Sequence, residues 1–114
     1  MAGSVGAPRE NEMALFIAMN QFEVDPARGA EFEARWRERE THLAEVPGFV
    51  RFALLRSDEP GRYLSHSTWQ SRSAFEAWTR SEAFRRAHQQ ARMPEGVLRG
   101  HPKLQTFEAV LEQP

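Results

Sequence analysis

Phe84, Ala87, His88 and Ala91 recur at i, i+3, i+4 and i+7, the spacing of one helix face. That places His88 inside an apolar stripe and away from water, where an imidazole must find a partner or stay neutral. Three roles are open to it: a metal ligand through its bare ring nitrogen, an acid or base for a bound substrate, or a satisfied core histidine. Residue type alone favours the last. Trp78 lies ten residues earlier, with Phe75 beside it one turn back. Asn20 is the polar member of the set Phe16, Ala18, Asn20, Phe22 and Val24, which shares one strand face by alternation. A buried amide without a partner costs roughly 1–3 kcal/mol, so Asn20 either caps a loose backbone group or points its NH2 into a pocket. Arg39 falls within the apolar stripe of an early helix and Arg35 at its edge, one turn apart. They either pair outward with Glu31, Glu38 or Glu40, or hold an anionic ligand between two guanidinium groups.

The chain that must position these groups has 114 residues, enough for one domain. Fifteen Lys+Arg against sixteen Asp+Glu give a net charge of −1, which does not make the basic face that nucleic-acid binding needs. There is no cysteine, so disulfides, thiolate catalysis and Cys-bound zinc, iron–sulfur or haem are excluded. A cytoplasmic setting fits that absence. No apolar run is long enough to span a membrane. Residues 1–12 lack the order of a signal peptide and read as a disordered leader, with a single domain over 13–114.

Met13–Val24 reads as a strand, apolar on both faces in its first half. Asp25-Pro26 is an N-cap and first-turn signal for a helix running to about Val46, before Pro47-Gly48. Phe49–Arg56 and Arg62–Gln70 form a hairpin across Ser57–Gly61. A second helical stretch follows, capped by Ser71 or Ser73 and bent at Thr79–Ser81. Without the bend, Trp78 and His88 would point different ways. A Gly/Pro-rich loop, Arg92–Pro102, leads into a last strand, Lys103–Leu111, and could close over a site. The order β-α-β-β-α-β predicts an α+β, ferredoxin-like antiparallel sheet with two helices on one face. Strand one is apolar on both sides, so the other face needs a cover. A second subunit pressing sheet to sheet supplies it, giving a dimeric α+β barrel.

There is no Gly-rich phosphate loop, GxSxG elbow or HExxH, and the four histidines are not spaced as a zinc site. An imidazole, a tryptophan and an asparagine around an aromatic pocket, with arginines nearby, suit a large flat apolar ligand with acidic edges. A haem is such a ligand: neutral imidazole ligates its iron and arginines meet its propionates.

Asn20 near the end of strand one, Trp78 and His88 in register, with TWQSRSAFEAW, SEAFRRAH and PGF around them, resemble the antibiotic-biosynthesis-monooxygenase superfamily. Within it, the chain is similar to the IsdG/MhuD-type haem-degrading monooxygenases, over about residues 13–112. The resemblance implies an oxidoreductase for which haem is both cofactor and substrate. O2 and an external electron donor, delivered by a reductase, open the porphyrin and release iron. It implies His88 as the iron ligand, Asn20 as a hydrogen-bond donor on the opposite side, and Trp78 pressing the porphyrin out of plane. Arg35 and Arg39 stand where such enzymes carry basic residues and would meet the propionates. It also implies a homodimer. The N-terminal leader and the Arg92–Pro102 loop depart from the better-known members and leave the cleavage position open. Two other readings share the residues. One is a cofactor-independent oxygenase acting on an aromatic or quinol substrate, with His88 as acid/base or core residue. The other is a haem-binding protein without turnover.

Overall fold

A computed structural model describes residues 14–39, 41–90 and 92–113. The expected leader, Met13, Glu40 and Ala91 lie outside the described residues. Strand β1 is Phe16–Glu23, and a 3₁₀ turn, Pro26–Arg28, leads into helix α1, Gly29–Glu38. Strands β2 (Phe49–Arg56) and β3 (Arg62–Trp69) form the hairpin. Helices α2 (Arg72–Thr79) and α3 (Glu82–Gln90) follow, and β4 is Lys103–Glu108. The four strands pair antiparallel in the order β2-β3-β1-β4. This is the expected ferredoxin-like α+β sheet with its helical segments on one side.

The strand faces follow the alternation read from sequence. Phe16, Ala18, Phe22 and Val24 are buried beneath the helices. Val24 extends beyond β1 only as an isolated bridge to Leu98. Across the register, Ile17 and Met19 face away from the helices, beside Thr68 and His66 of β3. Leu55 and Phe107 continue this bare face and are 43% and 46% exposed. The last strand ends at Glu108 rather than Leu111, and Val110 and Leu111 are almost wholly exposed.

The helix expected from Asp25 to about Val46 is shorter. Asp25 does cap it, its carboxylate accepting from the Ala27 N–H at 3.0 Å. But α1 ends at Glu38: Arg39 turns extended, His42 takes a left-handed φ of 54°, and Leu43–Glu45 form a separate 3₁₀ turn. Packing explains the break. The described core is two clusters, one built on Phe22, Val24, Phe32, Tyr63 and Val97, the other on Phe16, Leu43 and Trp69. Phe32 and Leu43 belong to different clusters, and breaking the helix lets each reach its own. Tertiary burial here overrides a run of good helix formers, Ala34 and the Arg and Glu residues around it.

The second helical stretch breaks where expected. Ser71, not Ser73, caps α2, accepting from Ala74 N–H at 3.1 Å. Ser81 then caps α3: its Oγ accepts from Phe84 N–H at 3.1 Å while donating to the Trp78 carbonyl at 2.6 Å. Gly48 sets how closely α2 sits. Its φ is +81°, and a Cβ there would lie 2.4 Å from Ala74 Cβ, so glycine alone permits this approach.

A polar clamp ties α1 to the hairpin. Glu33 accepts from the Tyr63 hydroxyl at 2.7 Å and from Arg56 at 2.8 Å. The Tyr63 hydrogen bond, then Arg56, hold the Glu33 carboxyl below its ordinary range. A lowered carboxylate stabilises the fold above its unfolded pKa of about 4.3 and loses that contribution as pH falls through the folded value. Melting followed by circular dichroism should therefore show Glu33→Gln below wild type at pH 7, with the gap closing below about pH 4.3. Tyr63→Phe should cost about 0.5–1.5 kcal/mol at pH 7.

Candidate active site

The two core clusters stand apart along β1, and between them the sheet carries small side chains. Ala18 and Asn20 of β1 lie opposite Ser67 and Ser65 of β3. Above this floor opens a cleft of about 580 Å³, within the range of small-molecule sites. Phe22, Trp36, Met93 and Leu98 wall it on the side of the first cluster, and Leu43, Phe75 and Trp78 on the other. Phe52 and Leu104 edge it from β2 and β4, and Phe84 and His88 of α3 complete it.

The break at Ser81 brings Trp78 and His88 to the same cleft, although they sit on different helices. Trp78 packs between Trp69, at 5.1 Å between ring centroids, and the edge-on ring of Phe84 at 4.8 Å. That packing fixes its plane.

His88 is exposed, contrary to the expectation that the stripe would keep it from water. Ala87 beside it is 2% exposed and Phe84 is half-buried. The periodicity correctly put these residues together, but their face borders an open cleft instead of packed core. His88 Nδ1 lies 3.1 Å from the Phe84 carbonyl, and its ring sits 3.9 Å from that of Phe84. A carbonyl can only accept, so this bond puts the proton on Nδ1 and leaves the Nε2 lone pair bare. An imidazole oriented this way is prepared to ligate a metal. Among the described residues no group of three or more His, Asp or Glu gathers as a metal site. A lone imidazole therefore suits a metal that brings its other ligands with it.

Arg39, freed by the helix end, lies against the cleft wall. Its guanidinium stacks 4.0 Å over the Trp36 ring, which itself stacks on Phe52. The one hydrogen bond its guanidinium makes among the described residues, to the Ala87 carbonyl, is long at 3.4 Å. Nε and Nη1 are buried without a partner among the described residues, as is Trp36 Nε1. Burial pushes the Arg39 guanidinium below its ordinary value. A desolvated cation with unused donors is costly unless something anionic meets it. Arg35 does not line the cleft. It donates to the Arg92 carbonyl at 2.5 Å and so holds the start of the following loop, while Arg92 itself borders the cleft.

Asn20 lines the floor and caps no backbone group among the described residues. Ser65, which sequence reasoning passed over, lies beside it on the buried face at 6% exposure. The available signal was the run Tyr63, Ser65, Ser67 and Trp69: two serines set between aromatics on one covered face.

An antiparallel ferredoxin-like sheet with an aromatic cleft between its helices and its floor defines a small-ligand α+β domain. The chain belongs to the family described as antibiotic biosynthesis monooxygenase, which matches residues 15–90. A curated relative from Mycobacterium tuberculosis, "heme oxygenase (mycobilin-producing)", is 35% identical over 68 residues, spanning 59% of this chain and 65% of the relative. The structure of the heme-degrader MhuD from M. tuberculosis, with two hemes bound in its active site, superposes with a TM-score of 0.69 at 31% identity. It covers 87% of this chain and 99% of that one. SnoaB, a cofactor-independent oxygenase from Streptomyces nogalater, gives a TM-score of 0.66 at 25% identity, over 89% of this chain and 98% of that one. No helix among the described residues is long and apolar enough to cross a membrane.

The unpaired guanidinium has a thermodynamic signature. Arg39→Met keeps an unbranched chain over Trp36 and removes the desolvated charge. Calorimetry of the ligand-free protein should show an unchanged or raised Tm for this variant, whereas a net structural role for the charge would lower it.

Proposed function

We propose that the protein binds haem through His88 and opens the porphyrin ring with O2 and electrons from an external reductase, releasing iron. The observation that carries this reading is the placement of His88: its ring borders the apolar cleft, and Nδ1, not Nε2, lies against the Phe84 carbonyl. The similarity to the mycobacterial heme oxygenase supports it, and the cleft's donors and walls fit the group. Haem is both cofactor and substrate in this reading, supplying the iron at which O2 reacts and the ring that is oxidised.

The chain's own residues supply ligation, orientation and desolvation. His88 offers Nε2 from the α3 side. Asn20 offers its amide from the sheet floor, opposite that helix. Trp78, its plane set by Trp69 and Phe84, would pack against the macrocycle and restrict the shape the ring can take there. Arg39 meets a propionate with the donors that are otherwise unused, while Arg35 acts through the Arg92 segment and not by contact. Fixing these groups in advance lowers the entropy cost of reaching the reactive geometry.

Hemin titration tests the reading. A saturable Soret band near one haem per chain is expected, lost or strongly shifted in His88→Ala. Arg39→Met should weaken hemin binding. A bound haem that bleaches under air with ascorbate and catalase, releasing chelatable iron, establishes turnover. A stable band under those conditions identifies a haem-binding protein without turnover. No saturable band overturns the haem reading and leaves the cofactor-independent oxygenase, which the likeness to SnoaB supports.

We also propose that a second copy covers the bare sheet face around Ile17, Met19, Leu55 and Phe107. Thr68 on that face has a buried hydroxyl without a partner among the described residues. Sedimentation velocity should give twice the 13.1 kDa chain mass. Phe107→Glu, at an exposed site the monomer tolerates, should yield the single chain. A wild type that sediments as a single chain overturns the pairing.

A further inference from the structure

Serine on a helix-covered strand face needs a reason, since a buried hydroxyl without a partner costs roughly 1–3 kcal/mol. Ser67 has one: its Oγ accepts from Trp69 Nε1 at 3.0 Å and lies 3.4 Å from the Ala18 carbonyl, to which it donates. Ser65, two residues earlier on the same face, makes no such bond among the described residues. It is 6% exposed, and its hydroxyl opens onto the cleft. Directly across the strand pair is Asn20, whose amide is equally unengaged among the described residues. Cross-strand partners place their Cβ atoms about 4.5–5.5 Å apart, so both side chains reach one point above the floor. They are not hydrogen-bonded to each other. The surroundings are apolar, with Phe22 and Phe52 on either side and Leu104 across the opposite strand. Once a large flat ligand covers this floor, a group meeting the pair is shielded from water, where hydrogen bonds gain strength.

We propose that Ser65 and Asn20 together form a two-donor seat for one electronegative ligand atom at the centre of the cleft floor, with Ser65 as a ligand-contacting residue in its own right. The inference rests on the haem reading above, in which this floor faces His88 across the ligand. The seat then receives the small oxygen- or halide-type ligand that enters opposite the imidazole. Two donors fix such an atom in direction as well as distance, so Ser65 helps determine which edge of the macrocycle it faces.

Fluoride is a suitable probe, being monatomic, anionic and a strong hydrogen-bond acceptor. The experiment titrates fluoride into the ferric haem complex of wild type, Ser65→Ala, Ser65→Thr and Asn20→Ala at neutral pH, after measuring hemin affinity for each. Ser65→Ala should raise the fluoride Kd about tenfold or more, the loss of one hydrogen bond to a charged acceptor. Its hemin Kd and Tm should stay near wild type, and Ser65→Thr should restore fluoride affinity. A Ser65→Ala complex that binds hemin normally and fluoride as wild type does overturns the Ser65 role alone: the serine then only makes room. A wild-type protein without a Soret band overturns the haem reading, and this inference with it.

Discussion

The site depends on a division of the core. Large side chains gather at the two ends of β1 and β3, around Phe22, Phe32 and Tyr63 at one end and Phe16, Leu43 and Trp69 at the other. Between them the covered face of these two central strands carries only Ala18, Asn20, Ser65 and Ser67. Small residues cannot reach up to meet a helix, so the space above them stays open while each end packs tightly. Each cluster supplies one aromatic wall. The cleft is therefore a product of how the apolar volume is distributed, and filling its floor with larger side chains would close the site without breaking the fold.

Electrostatics sharpen this arrangement. Several charges among the described residues lie in exposed pairs, such as Arg62 with Glu23 and Glu59, which contribute little to stability. Arg39 is different: half-buried, stacked on Trp36 and short of acceptors. The protein tolerates an unfavourable group at one wall of an apolar cleft, as binding sites commonly do when stability is traded for affinity. Trp36 adds an unused indole N–H near the same place. Trp36, Arg39 and His88 thus place chemically different groups along one cavity.

Much of the fold was legible in sequence because local signals and tertiary packing agreed. The alternation from Phe16 to Val24 named the covered face, and the serine-led turn at Ser81 named the helix break. Where they disagreed, the sequence misled. Nothing local in Arg39–Val46 shows that Leu43 must join Phe16 and Trp69, so the end of α1 was placed about two turns late. The stripe Phe84–Ala87–His88 showed which residues share a face, but not that this face borders a cleft, so His88 was expected away from water. Ser65 went unnoticed because the alternation of Tyr63, Ser65, Ser67 and Trp69 puts both serines on one face without showing which of them is left unengaged. Its meaning comes only from the register that sets it opposite Asn20.

The helix bearing His88 is held at both ends by side chains, and between them by the contact of Phe84 with Trp78 and the long bond from Arg39 to the Ala87 carbonyl. Ser81 caps its start, and Arg35 grips the Arg92 carbonyl just beyond its finish. A nine-residue helix is too short to persist on its own, and in α3 only Ala87 is deeply buried among the residues whose burial is described. This segment thus behaves like a bridge resting on two piers. It belongs to the least stable part of the domain, where opening involves few contacts and leaves the sheet intact. His88 can therefore shift with this segment, while Trp78, anchored on the far side of the Ser81 joint, keeps its place.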